Sequence, residues 1–314
     1  MKSLNNVDKV NTVISYVPHG INSSVYKLTN VPADFKSKVF VGKKYKFVLF
    51  WMNRNIKRKQ PSDVIWAFSK FVDMLPEKDK KSVCLIMHTN PIDSNGTDLV
   101  AVKNKIAPDC DVIFSTDRIN QEKLNWLYNL SDVTINIAGN EGFGLTTAES
   151  IMCETPTIQT VSGGLQDQCG FMYDKSADIV TPPNVDITED WVEFTADDYV
   201  DIGSLHDFRK WEDKVVHGEW VKPVWPRVQT MVGSVPTPYI IDDKVDVTEV
   251  SEAIKYWYDM TPTERKRRGK LGRKWMVRDG GLNSETMCKT MADSIDLTLK
   301  NWTPKRNYNV FKIT

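Results

Sequence analysis

Between Lys46 and Pro182 the chain alternates, with little interruption, between short apolar runs and stretches of helical spacing. KFVLFWM (46–52), SVCLIMH (82–88), DVIFS (111–115), DVTINIA (132–138) and TPTIQTV (155–161) have the length and the Val, Ile and Phe content of buried strands. ADIVTP (177–182) is a shorter sixth candidate. PSDVIWAFSKFVDML (61–75) and NQEKLNWLYNLS (120–131) read as helices, the second with Leu124, Leu127 and Tyr128 on an apolar face. Strands that are apolar along their whole length, separated by helices, predict a parallel sheet covered on both faces. The expected class is α/β, a doubly wound, Rossmann-like sheet.

The pattern breaks near 183. Residues 183–245 are rich in Pro, Asp, Trp and Val and have no helical period. Trp191, Trp211, Trp220 and Trp225 fall here, with His206 and His217. The stretch reads as an inserted irregular or β-rich segment. Helices return at 246–260, 261–279 and 284–302, with Thr261 and Thr263–Glu264 as N-terminal capping residues. The expected organisation is a core over 1–182, an insertion over 183–245, and helices over 246–314 that complete the same domain.

Lys plus Arg and Asp plus Glu both number 41, so the formal charge is zero. That balance argues against a general nucleic-acid binder, which carries a basic excess. The five cysteines (Cys84, Cys110, Cys153, Cys169, Cys288) are scattered without metal-ligand spacing. Cys84, Cys110 and Cys153 lie in or beside apolar runs and are expected as buried free thiols. There is no signal-type N-terminus and no transmembrane-length apolar run, so the expected location is the cytoplasm.

The stretch GNEGFGLTTAES (139–150) follows the fourth strand and opens a helix. In an open parallel sheet, ligands bind at the carboxyl ends of the strands. A helix start there offers unpaired N–H groups and the positive end of the helix dipole, which suits phosphate. Gly142 and Gly144 let the backbone approach an anion closely. Glu141 and Glu149 would repel a bare phosphate, but carboxylates accept well from sugar hydroxyls. The pair therefore predicts a phosphate that belongs to a larger hydroxyl-bearing ligand. MNRNIKRKQP (52–61), after the first strand, supplies Arg54, Lys57, Arg58 and Lys59 to neutralise it.

The stretch EGFGLTTAESIMCETPTIQTVSGG resembles the E-G-F-G-L-x-x-x-E-x-M-x-x-x-x-P pattern of retaining glycosyltransferases of family 4, which have the GT-B fold. NRNIKRK is similar to that family's R-x-x-x-x-K and VPHGI (17–21) to the segment that opens its second domain. The resemblance covers roughly 13–165 and, more weakly, the helices after 246. It implies that the chain is the donor-binding half of a GT-B enzyme, with 1–182 holding a nucleotide-diphosphate sugar, UDP-sugar favoured. Arg54 and Lys59 would bind the diphosphate. The amides of Gly142, Phe143, Gly144 and Leu145 would support phosphate and sugar. Glu141 would contact the transferred sugar, Glu149 the ribose, and the segment Phe114 to Asp117 the base. Transfer would retain anomeric configuration, with neither metal nor separate cofactor. The acceptor, whether glycan, lipid or protein, is not named by the sequence.

Two departures are visible. The family's acceptor-binding domain is expected ahead of VPHGI, which here begins at residue 17. The stretch 183–245 is longer than the connection that the pattern expects. Both leave room for a non-catalytic nucleotide-sugar-binding module, for a separate acceptor-domain subunit, or for a homo-oligomer.

Other readings are weaker. Gly139, Gly142 and Gly144 reverse the spacing of the dinucleotide fingerprint and follow the fourth strand rather than the first. DCD (109–111) copies a metal motif but precedes a strand instead of following one. Lys57 and Arg58 read as solvated basic residues. His19 is expected to hold the domain-opening turn, and His88 either lines the pocket or is structural. The tryptophans of 183–245 form either a small core or a sugar-stacking platform. ERKRRGKLGRKW (264–275) reads as a solvated basic face, with an acidic partner as the alternative.

Overall fold

The computed structural model describes residues 15–174, 191–193, 212 and 215–302. The expected strand at 177–182, Trp211, His206 and the side chain of Trp191 lie outside the described residues.

Helix α1 (Ala33–Phe40) precedes strand β1 (Phe47–Met52). There follow α2 (Pro61–Asp73), a single helical turn α3 (Glu77–Lys80), β2 (Val83–His88), α4 (Leu99–Ile106), β3 (Val112–Ser115), α5 (Gln121–Leu130), β4 (Val133–Asn136), α6 (Leu145–Met152) and β5 (Thr157–Thr160). Short strands β6 (Met172–Asp174), β7 (Trp191–Glu193) and β8 (Val215–Val216) form a separate three-stranded sheet. Strand β9 (Val221–Val224) returns to the main sheet, and β10 (Val228–Met231) pairs antiparallel with β11 (Ile241–Lys244). Helices α7 (Val247–Asp259), α8 (Pro262–Val277) and α9 (Ser284–Asn301) end the described chain.

The main sheet has six parallel strands in the order β3-β2-β1-β4-β5-β9. The five strands expected from the apolar runs are all present. The sixth lies inside 183–245, a stretch read as an insertion. Pro223 explains why it was hidden: proline cannot donate to a ladder and is tolerated at a sheet edge, which is where β9 sits.

Each face of the sheet carries its own core. Phe47, Leu49 and Trp51 of β1 alternate with Val48 and Phe50, as a strand buried on both sides requires. The first set packs with Val64, Ile65, Phe68 and Phe71 of α2 and with Val250, Ile254 and Trp257 of α7. The second packs with Tyr128 of α5, Ile151 and Met152 of α6, and Met276 of α8. Each large side chain so buried contributes about 1.5–3 kcal/mol.

Trp220 and Trp225 flank β9, are buried, and belong to this second core. Trp220 stacks on Trp275 of α8 with centroids 5.0 Å apart. For these two residues the core reading holds.

The reading of the basic helix as a solvated face holds only in part. Arg265 is buried, donating to Asp132 at 2.8 Å and to the carbonyls of Trp257 and Met260. Arg273 donates to the carbonyls of Ser23, Tyr26 and Met152. Arg267 and Arg268 pair with Glu264 and Glu219. Four arginines of α8 are thus engaged by neighbouring groups, while Lys266, Lys270 and Lys274 are exposed, as a solvated face requires. Among the described residues no helix is long and apolar enough to cross a membrane. Cys84, Cys110, Cys153 and Cys169 are buried free thiols and Cys288 is exposed.

Candidate functional site

The strand order reverses between β1 and β4. β1 leads outward to β2 and β3, whereas β4 leads the other way to β5 and β9. In a doubly wound sheet this switch point opens a crevice at the carboxyl ends of the two strands, because the following loops diverge. The basic stretch 53–60 follows β1 and the glycine turn 137–144 follows β4. The two motifs therefore face each other across the crevice.

Glu141 is the centre of contact. Lys59 Nζ donates to its Oε1, Arg58 NH1 lies 3.3 Å from its Oε2, and Asn136 Nδ2 lies 3.3 Å from Oε1. Lys59 and Glu141 are both buried. Burial pulls the Lys59 amine below its ordinary pKa, against the opposing pull of Glu141. Arg58 also donates to the Asn140 carbonyl at 2.6 Å. Arg58, read from sequence as solvated, is thus part of this cluster.

Arg54 is not. It is exposed and pairs with Asp93, in the loop after β2, at 3.0 Å. Asn55 fastens that loop by donating to the carbonyls of Pro91 and Thr97. The sequence spacing that links Arg54 to Lys59 places them on the same loop with different partners.

The turn itself is braced from behind. Gly144 has φ +90, a left-handed value that favours glycine. A Cβ on Gly164 would come within 2.3 Å of the Gly142 carbonyl, so the Gly163–Gly164 pair lets the next loop pack flat against the turn. Gly164 N donates to the Glu141 carbonyl at 2.9 Å. Gly139 joins three segments: its N–H donates to the Arg58 carbonyl, and its carbonyl accepts from Asp243 N, both at 2.8 Å. Gln60 Nε2 donates to the Asp243 carbonyl. β11 is thereby fastened to the site, a role no sequence signal announced.

The outer side of the turn is open. A Cβ on Gly142 would meet nothing within 4 Å, and Leu145 is exposed. The N–H groups of Gly142, Phe143, Gly144 and Leu145 donate to no protein atom among the described residues. His19 sits edge-on to Phe143 with ring centroids 4.8 Å apart.

Glu149, in the second turn of α6, is also buried, in a different setting. Tyr128 OH donates to its Oε2 at 2.7 Å, and the Tyr26 phenol lies beside the pair, its ring centroid 6.1 Å from that of Tyr128. Burial pushes the Glu149 carboxyl above its ordinary value, and the two phenols pull it back.

Phe114 and Asp117 lie on the edge strand β3 and its following loop. Phe114 packs against the first core, and Asp117 lies 3.7 Å from Lys38. Both line a cavity of about 900 Å³, with Phe35, Val39 and Trp126 from α1 and α5. That cavity does not touch the glycine turn. Strands lie about 4.8 Å apart, so β3 stands roughly 14 Å from β4. His88, at the end of β2, contacts Ser115 Oγ through Nδ1 at 2.9 Å and is held below its ordinary pKa by burial. Asp111 of the DCD triplet lies at the opposite, amino end of β3, engaged by Lys43 and Tyr45.

No protein-family model and no curated protein matches this sequence. Solved structures do match the fold. Sucrose-phosphate synthase from Thermosynechococcus elongatus aligns with a TM-score of 0.57 at 18% identity, over 90% of this chain and 52% of that one. A glycosyltransferase from Rickettsia africae aligns at 0.58 and 12%, over 91% and 57%. Anabaena Alr3699/HepE, solved in complex with UDP and glucose, aligns at 0.54 and 13%, over 88% and 55%. The fold is that of part of a GT-B glycosyltransferase. At these identities the likeness reaches the fold alone, and the chain spans about half the length of the structures it matches.

Proposed function

We propose that this chain is the donor-binding half of a retaining GT-B glycosyltransferase and holds a nucleotide-diphosphate sugar, with UDP as the favoured nucleotide. The observation that carries the reading is the switch-point crevice. There the open amides of Gly142, Phe143, Gly144 and Leu145 stand beside the Lys59–Arg58–Glu141 cluster. The amides and the cations supply charge for a diphosphate, and Glu141 supplies an acceptor for a sugar hydroxyl. Arg54 reaches the diphosphate by leaving Asp93. Glu149, steadied by two phenols, accepts from the ribose. The loop from Phe114 to Asp117 meets the base, three strands away.

In this reading the sugar–phosphate bond breaks as the acceptor oxygen bonds to the anomeric carbon from the same face. The departing diphosphate takes the acceptor's proton. The chain's own contribution is electrostatic stabilisation of that leaving group. The acceptor, whether glycan, lipid or protein, and any second domain or subunit that binds it lie beyond the half that this chain spans.

A thermal-shift panel of UDP, GDP and ADP with their sugar conjugates tests the reading. A ligand at about 100 times its dissociation constant stabilises the fold by about 2.7 kcal/mol. The expected result is a shift with one nucleotide series that is lost in Glu149→Gln. No shift with any of the three removes the reading. Binding without hydrolysis or transfer by the isolated chain favours the second reading, a nucleotide-sugar-binding module that depends on a separate acceptor domain.

A further inference from the structure

Gln168 lies behind the glycine turn and is wholly buried. Its Nε2 donates to the carbonyls of Phe143 at 2.6 Å and Gly144 at 3.1 Å. Carbonyls only accept, so the amide nitrogen must face them, and this fixes the orientation of the side chain. The Oε1 on its other side accepts from Thr147 Oγ1 at 2.6 Å. The main chain of Gln168 is held in turn, because Trp220 Nε1 donates to its carbonyl at 3.0 Å.

The geometry of the peptide unit gives this clamp a consequence. In a planar trans peptide the C=O and the N–H point to opposite sides. The Phe143 carbonyl shares a plane with the Gly144 N–H, and the Gly144 carbonyl with the Leu145 N–H. Both peptide bonds are trans, as are all others among the described residues. Drawing both carbonyls inward therefore turns both N–H groups outward, toward the open side of the turn. These are two of the amides that have no acceptor among the described residues.

We propose that Gln168 is a positioning residue for anion binding, orienting the N–H groups of Gly144 and Leu145 toward a bound diphosphate, with Thr147 holding its far end. The proposal rests on the donor-site reading. It concerns the phosphate part of the ligand and leaves the nucleoside part untouched. A loss of general structure would affect both.

The test is calorimetric titration of UDP and of uridine into the full chain, Gln168→Met and Thr147→Val, with folding checked by circular dichroism. Methionine keeps the length of the side chain and removes both N–H donors. In Gln168→Met the affinity for UDP is expected to fall at least tenfold, while that for uridine stays within twofold. Thr147→Val is expected to show a smaller drop of the same kind, about threefold. An unchanged ratio of the two affinities in a folded variant overturns the proposal. So do equal losses for both ligands, or the unfolding of both variants, since each assigns Gln168 to structure alone. If the unaltered chain binds neither UDP, GDP nor ADP, the donor-site reading fails first and the proposal falls with it. Binding of UDP with an unaltered ratio sinks the proposal and leaves the reading standing.

Discussion

Glu141 and Glu149 lie eight positions apart on one turn and its helix, both buried. Glu141 sits beside two cations, Lys59 and Arg58, and also accepts from the neutral Asn136 amide. Glu149 sits among phenols, Tyr128 and Tyr26. The difference is one of compensation. A carboxylate taken out of water needs either opposite charge or several donors. The first keeps Glu141 ready for a ligand that brings its own charge to the cluster. The second leaves Glu149 supported by neutral hydrogen bonds, with its proton affinity raised by burial.

The largest effect is expected on the cationic side. Glu141→Leu leaves Lys59 buried without a counter-charge, and breaking a buried pair in this way costs about 3–5 kcal/mol. Urea unfolding at neutral pH measures it. Restoring an apolar neighbour with Lys59→Met in the same chain should recover most of the loss. If the single variant is as stable as the parent, Lys59 and Glu141 are solvated in solution and the contrast between the two carboxylates dissolves.

On the phenolic side Tyr128→Phe is expected to cost about 1–3 kcal/mol at pH 8, the range for a hydrogen bond lost by a buried charged acceptor. The cost should depend on pH in a defined direction. The folded chain holds the Glu149 proton more tightly than the unfolded chain, so stability falls as pH rises above the ordinary carboxylate range. Removing the Tyr128 hydroxyl raises the folded pKa further and steepens that fall. At pH 4, where Glu149 is largely protonated in both states, the variant should approach the parent. Unfolding curves at pH 4, 6 and 8 read this directly, and a penalty independent of pH would mean that packing, not Glu149, is what Tyr128 supports.

This contrast could not be read from the sequence, although the residues that make it could. Five of the six main-sheet strands are legible, because strands buried on both faces are apolar without interruption. The sixth, β9, is a four-residue edge strand that carries Pro223, and edge position removes the signal that proline would otherwise violate. The glycine turn and the basic loop are legible at one edge of the sheet, since both follow strands in an alternating α/β pattern. The partners within the crevice are not. Arg58 and Arg54 look alike in sequence as loop cations. Which of them meets Glu141 depends on the 3₁₀ turn Lys57–Lys59 and on the loop that carries Asp93. Gln168, Tyr26 and Tyr128 act on the turn and on Glu149 from 21 to 123 positions away. Such pairings are set by packing, for which a single sequence carries no spacing rule.

Arg54 gives the smallest expected effect on stability and the sharpest division between structure and ligand. Its pair with Asp93 is exposed, and such pairs contribute little because water and salt screen them and two side chains must be ordered. Arg54→Ala should therefore leave the urea midpoint where it is. If Arg54 moves from Asp93 to a diphosphate on binding, the same variant should lose tenfold or more in affinity for UDP, and the loss should shrink as salt rises. Asp93→Asn separates the two partners: it frees Arg54 from its present anion, so affinity should rise rather than fall. A lower UDP affinity in Asp93→Asn would mean that the pair is needed intact, as a fastening for the loop after β2. The diphosphate would then be left to Lys59, Arg58 and the turn amides.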